Sequence, residues 1–330
     1  MKKASVIMSV YNTKEVYLRE CIESILSQSE RDFEFIIIDD CCNEKTTNVL
    51  NSYDDDRIIL IHNDVNKGLT YNLNVALDIS RGKYIVRMDA DDVSSVDRIA
   101  KMIQHMEDNT YINILGSYMD VDGYIMKYHG NIPWEVRKAL LLFENAGVGH
   151  PSVVFRKSFL DNHNIRYDNS IRKSQDYELW TRCIEYTNLY VYTECLIRYR
   201  IHDDQISKRN SSEQNNFVKM IKERQLSKFR PYLEENEIVE FSKDDRYSNL
   251  NIIDYRKIVK KILRANKMKG IVQQEILWYV LRKKYAEYLN YHYLNLYRIE
   301  KYFVVPLNRI IKKYSNIITQ EDDNFSYLPK

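Results

Sequence analysis

The stretch Tyr84-Ile-Val-Arg-Met-Asp-Ala-Asp-Asp92 is a short apolar run that ends in three carboxylates spaced Asp89-x-Asp91-Asp92. A buried strand that delivers acids at its carboxyl end is how an α/β domain builds a dication site. Carboxylates this close repel a phosphate unless a cation lies between them, so the chemistry indicated is transfer onto or from a diphosphate, with Mg2+ or Mn2+ as the cation. Continuous apolar runs of the same kind occupy residues 5–10, 33–38, 57–61 and 84–88, which predicts a covered, largely parallel sheet. Between them lie helical patterns at 15–28, with Leu18, Ile22, Ile25 and Leu26 on one stripe, at 70–79, and at 95–106, with Ile99, Met102, Ile103 and Met106. Strand and helix alternating at this pace is a doubly wound α/β domain.

After Ile114 the rhythm changes. Short strands are expected at 112–118, 124–128, 152–155 and 190–192, with helices at 133–143, where Pro133 suits a first turn, and at 175–186. From about Asn215 the pattern is helical, broken only at Pro231, Gly270 and Pro306. The polar stretch 208–216 marks a boundary, so the expectation is a catalytic domain over 1–210 and a helical C-terminal region over 211–330.

At 330 residues with 44% hydrophobic content the chain has enough apolar material for a core and about two domains. Its net charge of +2 gives no argument for a nucleic-acid partner. The charge is uneven, however: residues 211–330 hold 23 basic and 15 acidic side chains, net +8, which leaves −6 for residues 1–210. The five cysteines form no C-x-x-C pair and no zinc-ligand spacing, as expected in a reducing cytoplasm. Met1-Lys-Lys followed by about eight apolar residues is too short for a secretory signal and reads as a first strand. No run of about 18 apolar residues is present to span a membrane.

The candidate chemistry clusters where strands end. Ser9-Val-Tyr-Asn12 ends the first strand without a glycine-rich phosphate loop. Tyr11 would stack on a base there, or the segment is a turn in which Asn12 or Thr13 caps the next helix. Asp39-Asp40 ends the second strand, where an acid accepts from a base imide or a ribose hydroxyl, or is simply a turn acid. Gly68 in Asn66-Lys-Gly-Leu69 supplies a turn, and Asn74 on the helix that follows would face the crevice. Arg98 would hold a phosphate, order the acidic loop or pair at the surface. Asp176 begins a helix, whose amino end lowers its pKa while burial raises it. Arg200 and His202, in Tyr199-Arg-Ile-His-Asp203, are a diphosphate contact and a metal or phosphate ligand, and a lone histidine is otherwise structural. His150, in Gly149-His-Pro-Ser-Val153, would reach a sugar or is a plain loop residue.

In this order the segments 5–12, 33–40, 66–69, 82–92 and 175–180 resemble glycosyltransferase family 2, inverting enzymes of the GT-A fold, over about residues 3–205. The resemblance implies a mixed sheet with a Rossmann-like nucleotide half and an acceptor half. It implies that Ser9, Tyr11, Asp40, Asp89, Arg98 and Arg200 line the donor nucleotide, normally of uridine, and that Asp91 and His202 ligate the divalent cation. Asp176 matches the usual catalytic base, and Gln175 stands where the family commonly has Glu. The implied activity is hexosyl or N-acetylhexosaminyl transfer from a nucleotide sugar to a glycan or lipid-linked acceptor in surface polysaccharide synthesis, such as capsule or lipopolysaccharide.

Between residues 256 and 313 stand 15 basic against three acidic side chains, with Tyr279, Tyr285, Tyr288, Tyr291, Tyr293 and Tyr297 crowded together. That pattern suits an anionic membrane surface, which would make the protein cytoplasmic and peripheral at the inner face of the cell membrane. It equally suits a helical unit packed on the catalytic domain or on a second copy in a homo-oligomer. Two rival functions are a sugar-phosphate nucleotidyltransferase, which needs the glycine-rich loop that residues 9–13 lack, and a binding module without catalysis, against which Asp89, Asp91 and Asp176 all stand.

Overall fold

A computed structural model describes residues 2–202, 211–244 and 248–292. Tyr293, Tyr297, Pro306, the basic residues beyond 292 and part of the expected 208–216 boundary lie outside the described residues.

The core is a nine-stranded sheet. Strands β1 (Ala4–Val10), β2 (Phe33–Asp39), β3 (Ile58–His62) and β4 (Tyr84–Arg87) form a parallel half in the order β3-β2-β1-β4. Beyond β4 the sheet turns mixed: β8 (Val154–Arg156) is antiparallel to β4 and to β6 (Ile114–Val121), and β9 (Tyr190–Tyr199) runs parallel to β6. The two-residue β5 (Val93–Ser94) closes the far edge on β9, and β7 (Tyr124–Met126) hairpins onto β6. The sequence pattern misses β5 and most of β9, because two residues carry no periodicity and β9 after Tyr192 runs through two exposed and then two buried positions with no regular alternation.

Burial explains the continuous apolar runs. Along β2, Phe35 and Ile37 enter one apolar layer with α1 (Glu15–Leu26) and α4 (Arg98–Asp108), whereas Ile36 and Ile38 enter the other with α3 (Leu69–Ile79). A strand covered on both faces loses the alternation of a half-exposed one. The short α2 (Glu44–Asn51) escapes sequence detection because Thr46 and Thr47 are poor helix formers; Asn43 starts it by accepting from the Thr46 amide at 3.0 Å. Asn12 and Thr13 do not cap α1, whose first flanking residue is Lys14. Asn12 instead takes a positive φ of 51° and accepts from the Asn43 amide at 2.7 Å, tying the first two strand-to-helix connections together.

On the second face, α5 (Trp134–Leu140), α6 (Lys157–Asn162) and α7 (Gln175–Cys183) share one apolar cluster with the helices that follow: α8 (Ser211–Leu226), α9 (Glu235–Ser242), α10 (Ile252–Lys269) and α11 (Gln274–His292). Tyr255 and Tyr288 stack at 4.1 Å between ring centres inside that cluster, with Tyr279 and Tyr285 packed against it, whereas Tyr291 is exposed. Of the tyrosines that read as a membrane face, the described ones therefore divide: Tyr279, Tyr285 and Tyr288 join or pack on the core and Tyr291 stays outside. No helix among the described residues is long and apolar enough to cross a membrane.

The sheet is tightest where β1, β2 and the approach to β4 meet. Ser5 donates to buried Glu34 at 2.7 Å and accepts from the Gly82 amide at 2.8 Å. A Cβ at Gly82 would lie 2.3 Å from the backbone of Ala4 and Ser5, so only glycine lets the chain enter β4 here. Gly82→Ala is expected to cost about 1–3 kcal/mol, read as a lower Tm with an unchanged far-ultraviolet spectrum.

Candidate active site

The acidic loop lies where the parallel half of the sheet gives way to the mixed half. β4 ends at Arg87, Met88 donates its amide to Ile7 at 3.1 Å, and the chain then turns through Asp89-Ala-Asp-Asp92 into β5. Because β5 pairs Val93 with Arg198 and Ser94 with Ile197, the end of β9 is laid beside the acids. Asp92 accepts from the Arg200 amide at 3.1 Å, and His202 Nε2 lies 2.8 Å from Asp91 Oδ2 across 111 residues of chain.

The three carboxyls have different surroundings. Asp89 is partly exposed and pairs with Arg87 at 2.5 Å. Asp91 has its pKa raised by burial and then by Asp89, with His202 opposing. Asp92 is fully buried and is pushed well above the usual range by burial and then by its two acidic neighbours. Burial and the neighbouring Asp89 thus both disfavour ionisation of Asp91. Among the described residues no three His, Cys, Asp or Glu side chains converge as a complete metal-ligand set; Asp91 and His202 supply two donors. These are the two side chains of the loop region that could hold a dication.

Arg87 passes unnoticed in the sequence because it sits inside an apolar run. Its side chain is buried, and its Nε and Nη1 have no hydrogen-bond partner among the described residues. Its charge acts on Asp89 and Asp92 on one side and on Asp176, His150 and Tyr167 on the other. Tyr128 lies in the field of Asp89, Asp92 and Asp176 together. The acidic loop and the start of α7 therefore border the same region.

Asp176 occupies the first turn of α7, which follows Ser174 in the left-handed region at φ 56°. Asn145 Nδ2 donates to its Oδ2 at 3.0 Å. Burial raises the carboxyl's pKa and outweighs Asn145, the helix amides and Arg87, all of which lower it. Gln175 is partly exposed beside it.

At the ends of β1 and β2, Tyr11 is 56% exposed and Ser9 Oγ accepts from Asn72 at 2.9 Å. Asp40 is buried and accepts from Asn63 Nδ2 at 2.9 Å and from the Lys67 and Gly68 amides at 2.7 and 2.9 Å. A carboxylate offers about four acceptor positions, so one is left for a further donor. Gly68, at φ +85°, makes the turn that aims those amides. Arg200 stacks over Tyr17 at 4.6 Å and pairs with Glu20, a residue the motifs do not flag.

Three expectations are corrected. Arg98 is neither a phosphate contact nor a surface pair: it is fully buried and donates to the carbonyls of Arg87 and Pro151 at 2.7 and 3.0 Å, ordering the acidic loop from behind. Burial and then Arg87 push its pKa down to about 9, which leaves it charged at neutral pH. His150 is buried, lies 2.8 Å from the Tyr167 hydroxyl and meets Trp180 edge-on, so it belongs to the floor of the site rather than to its open side. Burial and Arg87 hold its pKa well below the ordinary histidine value. Asn74 does not face the crevice; it exchanges two hydrogen bonds with the Tyr167 backbone, at 2.8 and 2.9 Å.

The family model for Glycosyl transferase family 2 matches residues 5–164. The chain is 37% identical over 206 residues to an uncharacterized glycosyltransferase of Methanocaldococcus jannaschii, an alignment covering 60% of this chain and 70% of that one. It is 28% identical over 227 residues to a UDP-Glc:alpha-D-GlcNAc-diphosphoundecaprenol beta-1,3-glucosyltransferase of Escherichia coli, covering 67% and 87% of the two chains. Among solved structures it resembles S. aureus TarS in complex with UDP-GlcNAc, with a TM-score of 0.58 at 15% identity, over 87% of this chain and 89% of that one. That last likeness establishes the fold.

The corrected place of Arg98 gives an expected outcome. Arg98→Lys cannot reach both carbonyls and should lower unfolding stability by about 2 kcal/mol in urea titration, leaving nucleotide affinity unchanged in the folded protein.

Proposed function

We propose that this chain, which belongs to glycosyltransferase family 2, transfers a sugar with inversion from a uridine-diphosphate donor to a hydroxyl of a glycan or lipid-linked acceptor in polysaccharide synthesis. The observation that carries the reading is that Arg87, ion-paired to Asp89 at 2.5 Å, also acts by its charge on Asp92 and on Asp176, so that the acidic loop and the start of α7 border one region. A diphosphate leaving group needs the first and an attacking hydroxyl needs the second.

Asp176 is assigned the base. Its upward shift brings it toward the range where a carboxylate takes a proton effectively, and its place in the first turn of α7 fixes its direction. As it draws the proton from the acceptor hydroxyl, the oxygen attacks the anomeric carbon from the face opposite the nucleotide. The bond from that carbon to the diphosphate oxygen breaks with its electron pair, and the centre inverts once. Asp91 and His202 are the residues that would hold Mn2+ or Mg2+, which when bound supplies positive charge against the departing diphosphate. Asp89, fixed by Arg87, is assigned to the ribose, Tyr11 to the face of the base and the remaining acceptor position of Asp40 to its imide. Arg200 lies beside the diphosphate in this reading and shares Glu20 with Arg198.

The lipid-linked alternative for the acceptor draws on the E. coli relative, whose name specifies a diphosphoundecaprenol substrate and a UDP-linked donor. Contact between an anionic membrane surface and the basic helices would complement such an acceptor. The break between residues 1–210 and 211–330 is kept as a division of labour, with the second part supporting the first.

Two outcomes are expected. By calorimetry UDP should bind more tightly in Mn2+ or Mg2+ than in excess chelator, and equal affinity would remove the cation from the reading. Asp176→Asn should keep donor affinity while turnover falls about 10²–10⁴-fold, and unchanged turnover would remove Asp176 as base. Because the base must be ionised, wild-type turnover should decline as pH falls through its raised pKa.

A further inference from the structure

The helices beyond residue 210 reach the site by more than one route: the ion pair of Glu213 with Lys173 just ahead of α7 is one, and a short segment, residues 143–149, is another. Its sequence, Phe-Glu-Asn-Ala-Gly-Val-Gly, has no periodicity and forms no strand or helix. It is nonetheless held from several sides. Phe143 meets Phe241 of α9 edge-on at 6.3 Å. Both carboxylate oxygens of Glu144 lie within reach of Lys283 Nζ on α11, at 3.2 and 3.3 Å. The Ala146 carbonyl accepts from buried Arg137 of α5.

The two glycines let the segment lie directly on its neighbours. A Cβ at Gly147 would fall 1.9 Å from the indole of Trp180, one turn along α7 from Asp176. A Cβ at Gly149 would fall 2.5 Å from the ring of Tyr128. Between these anchors stands Asn145, whose amide orientation is fixed by its own turn. Its Oδ1 accepts from the Gly147 amide at 3.2 Å, so its Nδ2 is the group that faces Asp176.

We propose that Asn145 is the positioning residue for the Asp176 carboxylate, and that Lys283 of α11 holds Asn145 in place through Glu144. The inference rests on the reading of Asp176 as base and adds to it a supporting chain that runs from the far helices to one carboxylate oxygen. The Asn145 amide donates to Oδ2 from outside α7, beside the backbone amides of α7's own first turn, and so helps to fix which way the carboxylate faces. The other groups that face Asp176 are the backbone amides of Asp176 and Tyr177 in its own helix, which also hydrogen-bond it, and Arg87 from β4, Tyr128 from the segment after β7 and Tyr167 from the segment after α6, for which the structure gives no hydrogen bond to it. Arg87 acts on Asp176 by charge alone, with its one ion pair directed to Asp89.

The test uses the full chain and requires no substrate. Carbon-detected NMR of 13C-labelled aspartate follows the Asp176 carboxyl through pH, its resonance identified by its loss in Asp176→Asn. A donor to the ionised form holds a carboxyl's pKa down, so Asn145→Ala should move the Asp176 titration upward. Asn145→Asp, nearly the same shape but with no amide to donate, should move it upward again if the alanine variant loosens the segment. Lys283→Met should move it in the same direction by less, and amide hydrogen exchange across 143–149 should quicken about threefold, as expected from losing a part-exposed ion pair. An Asp176 titration that stays put in both Asn145 variants overturns the proposal. Exchange and titration unchanged in Lys283→Met overturn the part played by α11. A titration that moves while Asp176→Asn retains turnover defeats the base reading and leaves the positioning contact standing.

Discussion

Crowded negative charge at the end of a strand buried on both faces is the constraint to which the rest of this structure answers. Three carboxyls within four residues cannot all be ionised in a dry setting without positive charge nearby, and the fold supplies it in layers. Arg87 pairs with Asp89 from inside the sheet and Arg98 lies behind it, holding the carbonyls of Arg87 and Pro151, while the segment just after β9 adds the Arg200 amide and the His202 ring as hydrogen-bond partners of Asp92 and Asp91. Even so, burial keeps Asp91 and Asp92 above their ordinary range.

The same constraint explains why the sheet is mixed. A purely parallel sheet would end its acids in a crevice bounded only by strand-to-helix loops. Here the chain returns after β4 through β6, β8 and β9, and the bridge between β5 and β9 brings Arg200 and His202 to acids more than a hundred residues earlier. The second half of the sheet thus completes a site that the first half begins.

The helical region belongs to the same economy of support. Its apolar residues share one cluster with Trp180 and Phe155, and its polar contacts fall on Glu144 and on the loop around Asp168. Of the side chains that look like a basic, aromatic surface when read in order, Tyr255, Tyr279, Tyr285 and Tyr288 pack inward on α10 and α11, whereas Arg256, Lys257, Lys260, Arg264, Lys267 and Lys269 stay exposed. Tyr255 and Tyr288 are buried and stacked, although nothing in their spacing separates a core tyrosine from an interfacial one.

The sequence by itself determined the parallel half of the sheet, the helices of strong period and the family, because apolar runs on a doubly covered sheet and acids at strand ends are local patterns that need no partner to be read. It also marked Asp89, Asp91, Asp176 and His202, whose residue types and order are legible one at a time. Only the tertiary structure decided how side chains without local pattern are used. Arg87 and Arg98 became buried counter-charges, His150 went into the floor, Asn74 turned to the Tyr167 backbone, and Asn145 and Glu20 acquired partners across 31 and 180 residues. The physical reason is that the environment of a charge is set by what the fold packs around it, and neither burial nor a partner distant in the chain leaves any mark on the spacing of neighbouring residues.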